Sequence, residues 1–550
     1  MARVWFLALF LNIIFLSEFQ CAKILAVFPT PAISHQVVFR PYIHELVKRG
    51  HEVVLVTPDP AFPKGQAPAN LTEIDVHDMS YAHWEELLSL HDGKKESILK
   101  QATKIFEKIT SVFEIQLQTP EFQRIIKEEK DTFDLIVLEA FYRSALGLGH
   151  LLKKPIIQFN SFGAASIHFD QFGAPSHPII YPTAANQRLY NLSMLEKLWE
   201  FFKYFMVECL LIFTYNYDFD MAKRNFGEDI PSFEVLHDKY VHMLILNEHQ
   251  IWAENHPIPP NILFVGGIHQ APDKALPSDL QEYLDSSKNG VIYISFGTSV
   301  RTKTLSVETV KLMAKVFSEL PYDVLWKWDE DELPGRSSNV KISKWLPQAQ
   351  LLKHPNIKLF VTQGGLQSTT ETINAAVPVI GIPMLGDQWY NTEKYGYHKI
   401  GLQLDIHSLT EETFKEAITT VIENKSYKEN ILRLRTLMQD HPIKPLDLAI
   451  WWTEYILRNG GKHLRSPAAS VPWTTYYELP LVFTILLILC ILILLFILKS
   501  QALLSGVAYA PLRNSLNPFC RVLLLMYISL SPLKWRQILL DVSCRKKTSF

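Results

Sequence analysis

The chain has 550 residues, room for two domains plus accessory segments. Its formal net charge is −2 and it has no long basic run, which argues against nucleic acid as a partner. Hydrophobic residues make up 48% of it, and one segment at each end carries the excess. At the N-terminus Arg3 precedes the apolar run Val4–Leu16, and the small residue Ala22 stands at a plausible cleavage point. Residues 1–22 therefore read as a signal peptide, which sends the chain into the secretory pathway.

The mature part begins as a β-α-β unit. Lys23–Phe28 is an apolar strand, Gln36–Lys48 repeats its apolar residues at helical spacing until Gly50, and Glu52–Thr57 is the next strand. No G-x-G-x-x-G follows the first strand, which counts against NAD or FAD. Residues 78–130 are charged with a helical pattern. Asp134–Leu138 and Pro155–Asn160 read as further strands, and the apolar stretch Ser161–Pro182 suits a pocket wall. Leu195–Phe213 is an aromatic-rich helix, read as lying over a pocket with a membrane contact open to it. Asn247–Asp285, rich in proline and polar residues, reads as the connection between domains. Two more strands follow, at Gly290–Phe296 and Tyr322–Trp328, with a helix at Ser306–Leu320 between them, and Val340–Lys344 leads to Trp345-Leu346-Pro347-Gln348. Helices at Thr410–Glu423, Lys428–Gln439 and Pro442–Arg458 close the folded part. Leu479–Leu498 then has no charge and about 30 Å of helical length, the thickness of one bilayer core. The tail after it, 499–550, carries Lys499, Arg513, Arg521, Lys534, Arg536, Arg545, Lys546 and Lys547 against one acid, Asp541, so the positive-inside rule places it in the cytosol. Cys209 alone would remain in the lumenal part, which leaves no intrachain disulfide and no cysteine zinc site there. Sequons at Asn70, Asn191 and Asn424 offer glycosylation sites.

Phe360–Gln388 is the most informative stretch. Its order is a strand, Gly364-Gly365, a polar helix start with Ser368 and Glu371, Pro378, the strand Val379–Ile382, Pro383 and the pair Asp387-Gln388. Glycines let backbone amides approach an anion, and the helix start presents unpaired N–H groups to it. Glu371, one turn in, can accept from ribose hydroxyls, and Asp387-Gln388 from a sugar.

The same stretch resembles, without a gap, the signature of the UDP-glycosyltransferases, the family that includes UDP-glucuronosyltransferases and the invertebrate UDP-glucosyltransferases. The resemblance implies an α/β fold of two facing Rossmann-like domains, the GT-B architecture, followed by one transmembrane helix. It gives an acceptor domain at 23–265, a linker at 266–285, a UDP-sugar domain at 286–441, a crossover helix and juxtamembrane segment at 442–478, the span at 479–498 and the tail at 499–550. Family roles carry over as follows. Trp345 stacks on the uracil, and Gln348 contacts the base or ribose. Glu371 holds the ribose hydroxyls. Gly365, Ser368 and Thr298 face the diphosphate, and Asp387 and Gln388 grip the sugar. His35 matches the catalytic base, just past a strand end at the start of a helix, where a neutral imidazole can accept a proton. It would take a proton from an acceptor hydroxyl, whose oxygen attacks the anomeric carbon from the face opposite UDP with inversion.

Two positions depart from the pattern. Glu139 stands where the family usually has the aspartate that orients the histidine, and Gln363 stands where many members have a histidine near the phosphates. Asp218-Phe219-Asp220 is a D-x-D triplet of the kind that holds manganese in another glycosyltransferase architecture, but it sits in a helical, aromatic region, so no metal and no cofactor is expected. The expectation is a single-pass type I enzyme of the endoplasmic reticulum, its domains lumenal, moving a hexose to small lipophilic acceptors. The wording of 363–368 resembles invertebrate members, which mostly use UDP-glucose. A non-catalytic lumenal protein that binds UDP-sugar is the alternative, and association into homo-oligomers stays open.

Overall fold

The computed structural model describes residues 21–89, 98–270, 274–298, 305–469 and 471–506, with 517, 518 and 522. The expected signal peptide up to residue 20, and nearly all of the tail, including Cys520, Cys544 and Lys546-Lys547, lie outside the described residues. The chain divides into two units, Met1–Ser470 and Val471–Phe550.

The larger unit holds two parallel sheets. The first contains β1 (Lys23–Val27), β2 (Glu52–Thr57), β3 (Leu71–Asp75), β4 (Leu135–Glu139), β5 (Ile156–Asn160), β6 (Val241–Leu246) and β7 (Ile262–Phe264), in the order β3-β2-β1-β4-β5-β6-β7. The second contains β8 (Val291–Ser295), β9 (Asp323–Lys327), β10 (Val340–Ser343), β11 (Ile357–Thr362), β12 (Val379–Gly381) and β13 (Gly401–Gln403), in the order β10-β9-β8-β11-β12-β13. Both run outward from the first strand of their half and then reverse, the doubly wound pattern. Each therefore has a switch point, between β1 and β4 and between β8 and β11, with its crevice at the carboxyl ends of the strands.

The strands are apolar on both faces because helices cover both. In the first sheet Leu25, Val27, Ile136 and Leu138 feed one core, while Ile24, Ala26, Leu135 and Val137 feed the other. In the second, Ile292, Ile294, Leu359 and Val361 face one way and Val291, Tyr293, Ile357 and Phe360 the other.

Six helices matter for the site: α1 (Ile33–Lys48), α2 (Ile98–Leu117), α3 (Met194–Phe226), α4 (Leu366–Ala375), α5 (Gln388–Tyr397) and α6 (Pro445–Asn459). Ser193 caps α3 in a reciprocal box with Glu196. The helix runs well past the expected Phe213. Asp218 on it pairs with Arg143 (Nε to Oδ2 2.9 Å) and accepts from the Thr110 hydroxyl, which commits that aspartate of the D-x-D triplet to a buried structural pair. α6, the last helix of this unit, returns to the first lobe. Ala449, Ile450 and Ile456 join that lobe's core, Tyr42 and Thr453 share a 2.8 Å hydrogen bond, and Arg49 reaches Asp447 and Glu454.

The 247–285 connection needs a correction: β7 lies inside it as the seventh strand of the first sheet. Three residues are too few to show a period, and the prolines around them mask the strand. The segment Ser161–Pro182 likewise contains a short helix, Ser166–Phe172.

In the smaller unit the helix Leu479–Gly506 extends past the expected span. Its stretch Leu479–Gln501 has 23 residues and contains an 18-residue window of mean hydropathy 3.6, long and apolar enough to cross a membrane by length and composition.

Candidate active site

Between the two sheets lies a cavity of about 640 Å³, within the usual size range for small-molecule sites. His35, Glu139, Thr298, Trp345, Gln348, Gln363, Gly365, Ser368, Glu371, Asp387 and Gln388 all line it. They come from both switch points. His35 follows β1 and Glu139 ends β4, while Thr298 follows β8 and Gln363 follows β11.

On the first lobe, His35 sits in the first turn of α1. Its Nδ1 lies 2.8 Å from Glu139 Oε1, and Glu139 Oε2 accepts from the Thr30 N–H at 3.1 Å. Glu139 is buried at 1% exposure, so both carboxylate oxygens are held in place. With Nδ1 turned to the carboxylate, the ring's Nε2 is the nitrogen left for a ligand. Phe162 packs edge-on to the His35 ring at 5.5 Å and stacks on Phe141. Beyond them the wall is apolar: Trp84, Ile105, Phe106, Ile109 and Val207. Only Val207 comes from α3. That helix leaves Leu195, Trp199, Phe205 and Phe213 exposed instead.

On the second lobe, Gly364 has φ of +90°, and a Cβ there would lie 2.3 Å from Thr392 Cγ2. Glycine is required by backbone and by space. The turn delivers the chain to Gly365, the N-cap of α4, whose first-turn N–H groups have no intrahelical partners, and that of Leu366 donates to Asp387. Gln363 is buried, with its Oε1 accepting from the Thr362 hydroxyl at 3.1 Å. Its Nε2 lies against Gly297, where a Cβ would meet it at 2.2 Å. Gln348 is the centre of a small network. It accepts from Tyr293 Oη (3.0 Å) and donates to Ser368 Oγ (2.9 Å) and Glu371 Oε2 (2.8 Å). Burial pushes the Glu371 carboxyl up to about 7, against the pull of Gln348 and Lys353. Trp345 is 66% exposed, an unusual position for an indole and one that offers a flat face to a ligand.

At the far end, Asp387 accepts from Asn391 Nδ2 at 2.8 Å. Burial raises its pKa, opposed by Asn391, by the Leu366 N–H and by the nearby His35. The electrostatic link to His35 spans the two lobes. Gln388 Oε1 accepts from the N–H groups of Met384 and Leu385, both at 2.8 Å, which fixes the orientation of its amide.

Several residues in or behind the cavity wall escape a reading by sequence. Lys327 closes β9 and binds the Gly297 carbonyl (3.1 Å) and Asp329 (2.6 Å), so its ammonium lies beside the Gly297-Thr298 turn. A cation at a strand's carboxyl end was the available signal. Gln367 reaches across to the Ser161 carbonyl of the first lobe at 3.1 Å. Trp252 Nε1 donates to Asn391 Oδ1 at 2.9 Å, so the residue that holds Asp387 is itself held from the other lobe. No local pattern announces contacts across more than a hundred residues.

Of the sequons, Asn191 and Asn424 are exposed, whereas Asn70 Nδ2 donates to the Val47 and His51 carbonyls at 2.7 and 2.9 Å. A glycan on Asn70 would displace both bonds. Among the described residues no group of three or more His, Cys, Asp or Glu is placed to hold a metal ion.

The family model described as UDP-glucoronosyl and UDP-glucosyl transferase matches residues 22–507. An ecdysteroid UDP-glucosyltransferase of Spodoptera littoralis nuclear polyhedrosis virus is 34% identical over 494 residues, covering 84% of this chain and 94% of the viral protein. UDP-glucosyltransferase 2 of Dactylopius coccus is 31% identical over 502 residues, covering 89% and 94%. Among solved structures, the glycotransferase of kitacinnamycin superposes with a TM-score of 0.54 at 17% identity, covering 79% of this chain and 99% of that one. That last likeness shows the fold alone.

Proposed function

Since the chain belongs to the UDP-glucoronosyl and UDP-glucosyl transferase family, and is a UDP-glycosyltransferase, we propose that it moves glucose from UDP-glucose to a hydroxyl of small lipophilic molecules with His35 as general base. The observation that carries this reading is the His35–Glu139 pair facing Asp387 and Gln388 across one cavity. Glu139 accepts a hydrogen bond from His35 Nδ1–H, so Nε2 takes the proton of the acceptor hydroxyl. The resulting oxygen attacks the anomeric carbon from the side opposite UDP, the C1–O bond to the diphosphate breaks, and configuration inverts. Asp387 and Gln388 hold the sugar hydroxyls. Trp345, Gln348 and Glu371 hold the uridine. Negative charge developing on the departing UDP meets the N–H groups at the start of α4, the Gln363 amide and Lys327. In this reading these groups stabilise the leaving diphosphate without a metal.

Glucose as the donor is supported by the names of the relatives. The lipophilic acceptor is supported by the apolar wall around Phe141 and Phe162. The helix Leu479–Gln501 anchors the enzyme in the endoplasmic reticulum membrane with the larger unit in the lumen, a reading supported by its length and by the basic tail after it.

The test uses full-length protein in detergent, labelled UDP-glucose and a panel of phenols and alcohols. His35→Ala lowers transfer by about 10²–10⁴-fold, the usual contribution of a general base, and EDTA leaves the wild type unchanged. Transfer at the wild-type rate by His35→Ala overturns the mechanism.

A further inference from the structure

The segment between β7 and the second lobe carries a histidine that none of the roles above uses. His269 is 9% exposed, yet it lines the cavity. Neither of its ring nitrogens has a hydrogen-bond partner among the described residues. A buried donor left in that state is costly unless something else satisfies it.

Its neighbours fix where it faces. Gly267, two residues before it, runs close to α4: a Cβ there would lie 3.6 Å from Thr370 Cγ2. Gln270, the next residue, donates to the Thr370 carbonyl at 3.4 Å and accepts from the Asn374 amide. Gln270 ties this segment to the second and third turns of α4, and the carbonyl of Gln367, in that helix's first turn, is near enough to the His269 ring to favour its protonated form. Burial outweighs that pull and holds its pKa near 4, so at neutral pH the ring carries one N–H and no charge.

We propose that the ring N–H of His269 donates to a diphosphate oxygen of the bound UDP-sugar at the start of α4. The inference rests on the UDP-sugar reading above. It adds a ligand from the interlobe segment to a set otherwise drawn from the second lobe.

The test titrates UDP and uridine into full-length detergent-solubilised wild type, His269→Ala and His269→Gln, with protein fluorescence as the readout. Loss of a hydrogen bond to an anion should weaken UDP by about tenfold or more in His269→Ala, leave uridine unchanged and be largely recovered in His269→Gln, whose amide keeps an N–H of similar reach. A merely structural histidine would not separate UDP from uridine. Equal UDP affinity in wild type and His269→Ala overturns the proposal. If His269→Ala loses both ligands, His269→Gln decides: regained UDP binding supports the proposal and continued loss overturns it. A wild type that binds no UDP at all overturns the nucleotide-sugar reading itself, a separate result.

Discussion

Replacing Glu139 by aspartate is the sharpest test of the pair at the centre of the first lobe. Aspartate is one methylene shorter, a retraction of about 1.5 Å. From the present backbone the 2.8 Å contact to His35 Nδ1 opens to about 4.3 Å, beyond hydrogen-bond range. The same retraction takes the second oxygen away from the Thr30 N–H, now 3.1 Å from it. On the proposed mechanism His35 then loses the group that fixes its tautomer and stabilises the imidazolium formed during transfer. A hydrogen bond to a charged group contributes about 1.5–3 kcal/mol, which corresponds to a fall in kcat of about 10- to 150-fold. Glu139→Gln keeps the reach and gives up the charge, and its amide N–H faces either His35 or Thr30, so its kcat falls too. The KM for the UDP-sugar stays within about twofold in both variants, because the pair lies on the acceptor side and acts mainly in the transition state. A coupled assay of released UDP gives both parameters, and a thermal melt shows that the variants are folded. A Glu139→Asp enzyme turning over at the wild-type kcat would refute the argument that this side chain's length places the histidine.

Trp345→Ala raises the KM for the UDP-sugar by about 10- to 100-fold, the usual worth of stacking a base, while the melting temperature holds, since the indole is 66% exposed and supports little of the core. Glu371 titrates near 7 when folded and in the ordinary acid range when unfolded, so between those values the native state holds the extra proton and stability falls as pH rises. Glu371→Gln removes that slope, a difference of order 1–3 kcal/mol read from melts of the free enzyme between about pH 4.5 and 7.5. In the wild type UDP binding strengthens as pH climbs through 7, because the ionised carboxylate is the better acceptor for ribose hydroxyls. Arg143→Met strands Asp218 in the core and costs about 3–5 kcal/mol by denaturant unfolding. Removing both partners (Arg143→Met with Asp218→Leu) recovers most of it, and added manganese changes neither result.

The architecture was legible where strands are long and apolar. β1, β2, β4, β5, β8 and β9 read directly as runs of Val, Ile and Leu, because a parallel sheet buried on both faces needs nothing else, and the three-residue β12 stood out only because Pro378 and Pro383 frame it. β3 is an edge strand with exposed Thr72 and Asp75, β7 and β13 have three residues each, and β6 follows a helix with no turn between them, so no period marks any of the four. The candidate site was legible for a different reason. Its residues sit just past strand ends, where glycine turns, a helix start and an acid–amide pair stand out against apolar neighbours. What the sequence hides is everything assembled across the gap. Examples are the reach of Gln367 to the Ser161 carbonyl, the grip of Trp252 on Asn391, and the burial that leaves His269 neutral and unpaired. The two departures at 139 and 363 also resolve in space. Glu139 spans to both His35 and Thr30, and Gln363 points its amide at the Gly297 turn.

The return of α6 to the first lobe has a mechanical consequence. The chain passes between the lobes twice, outward after β7 and back before Pro445, and the returning end is bolted by Thr453 to Tyr42 and by Asp447 and Glu454 to Arg49. A body joined at two points is a door on two hinges. It swings about the line through them, and twisting or sliding strains one hinge or the other. The two crossings therefore limit how the first lobe can move against the second and help keep His35 and Asp387 facing one cavity.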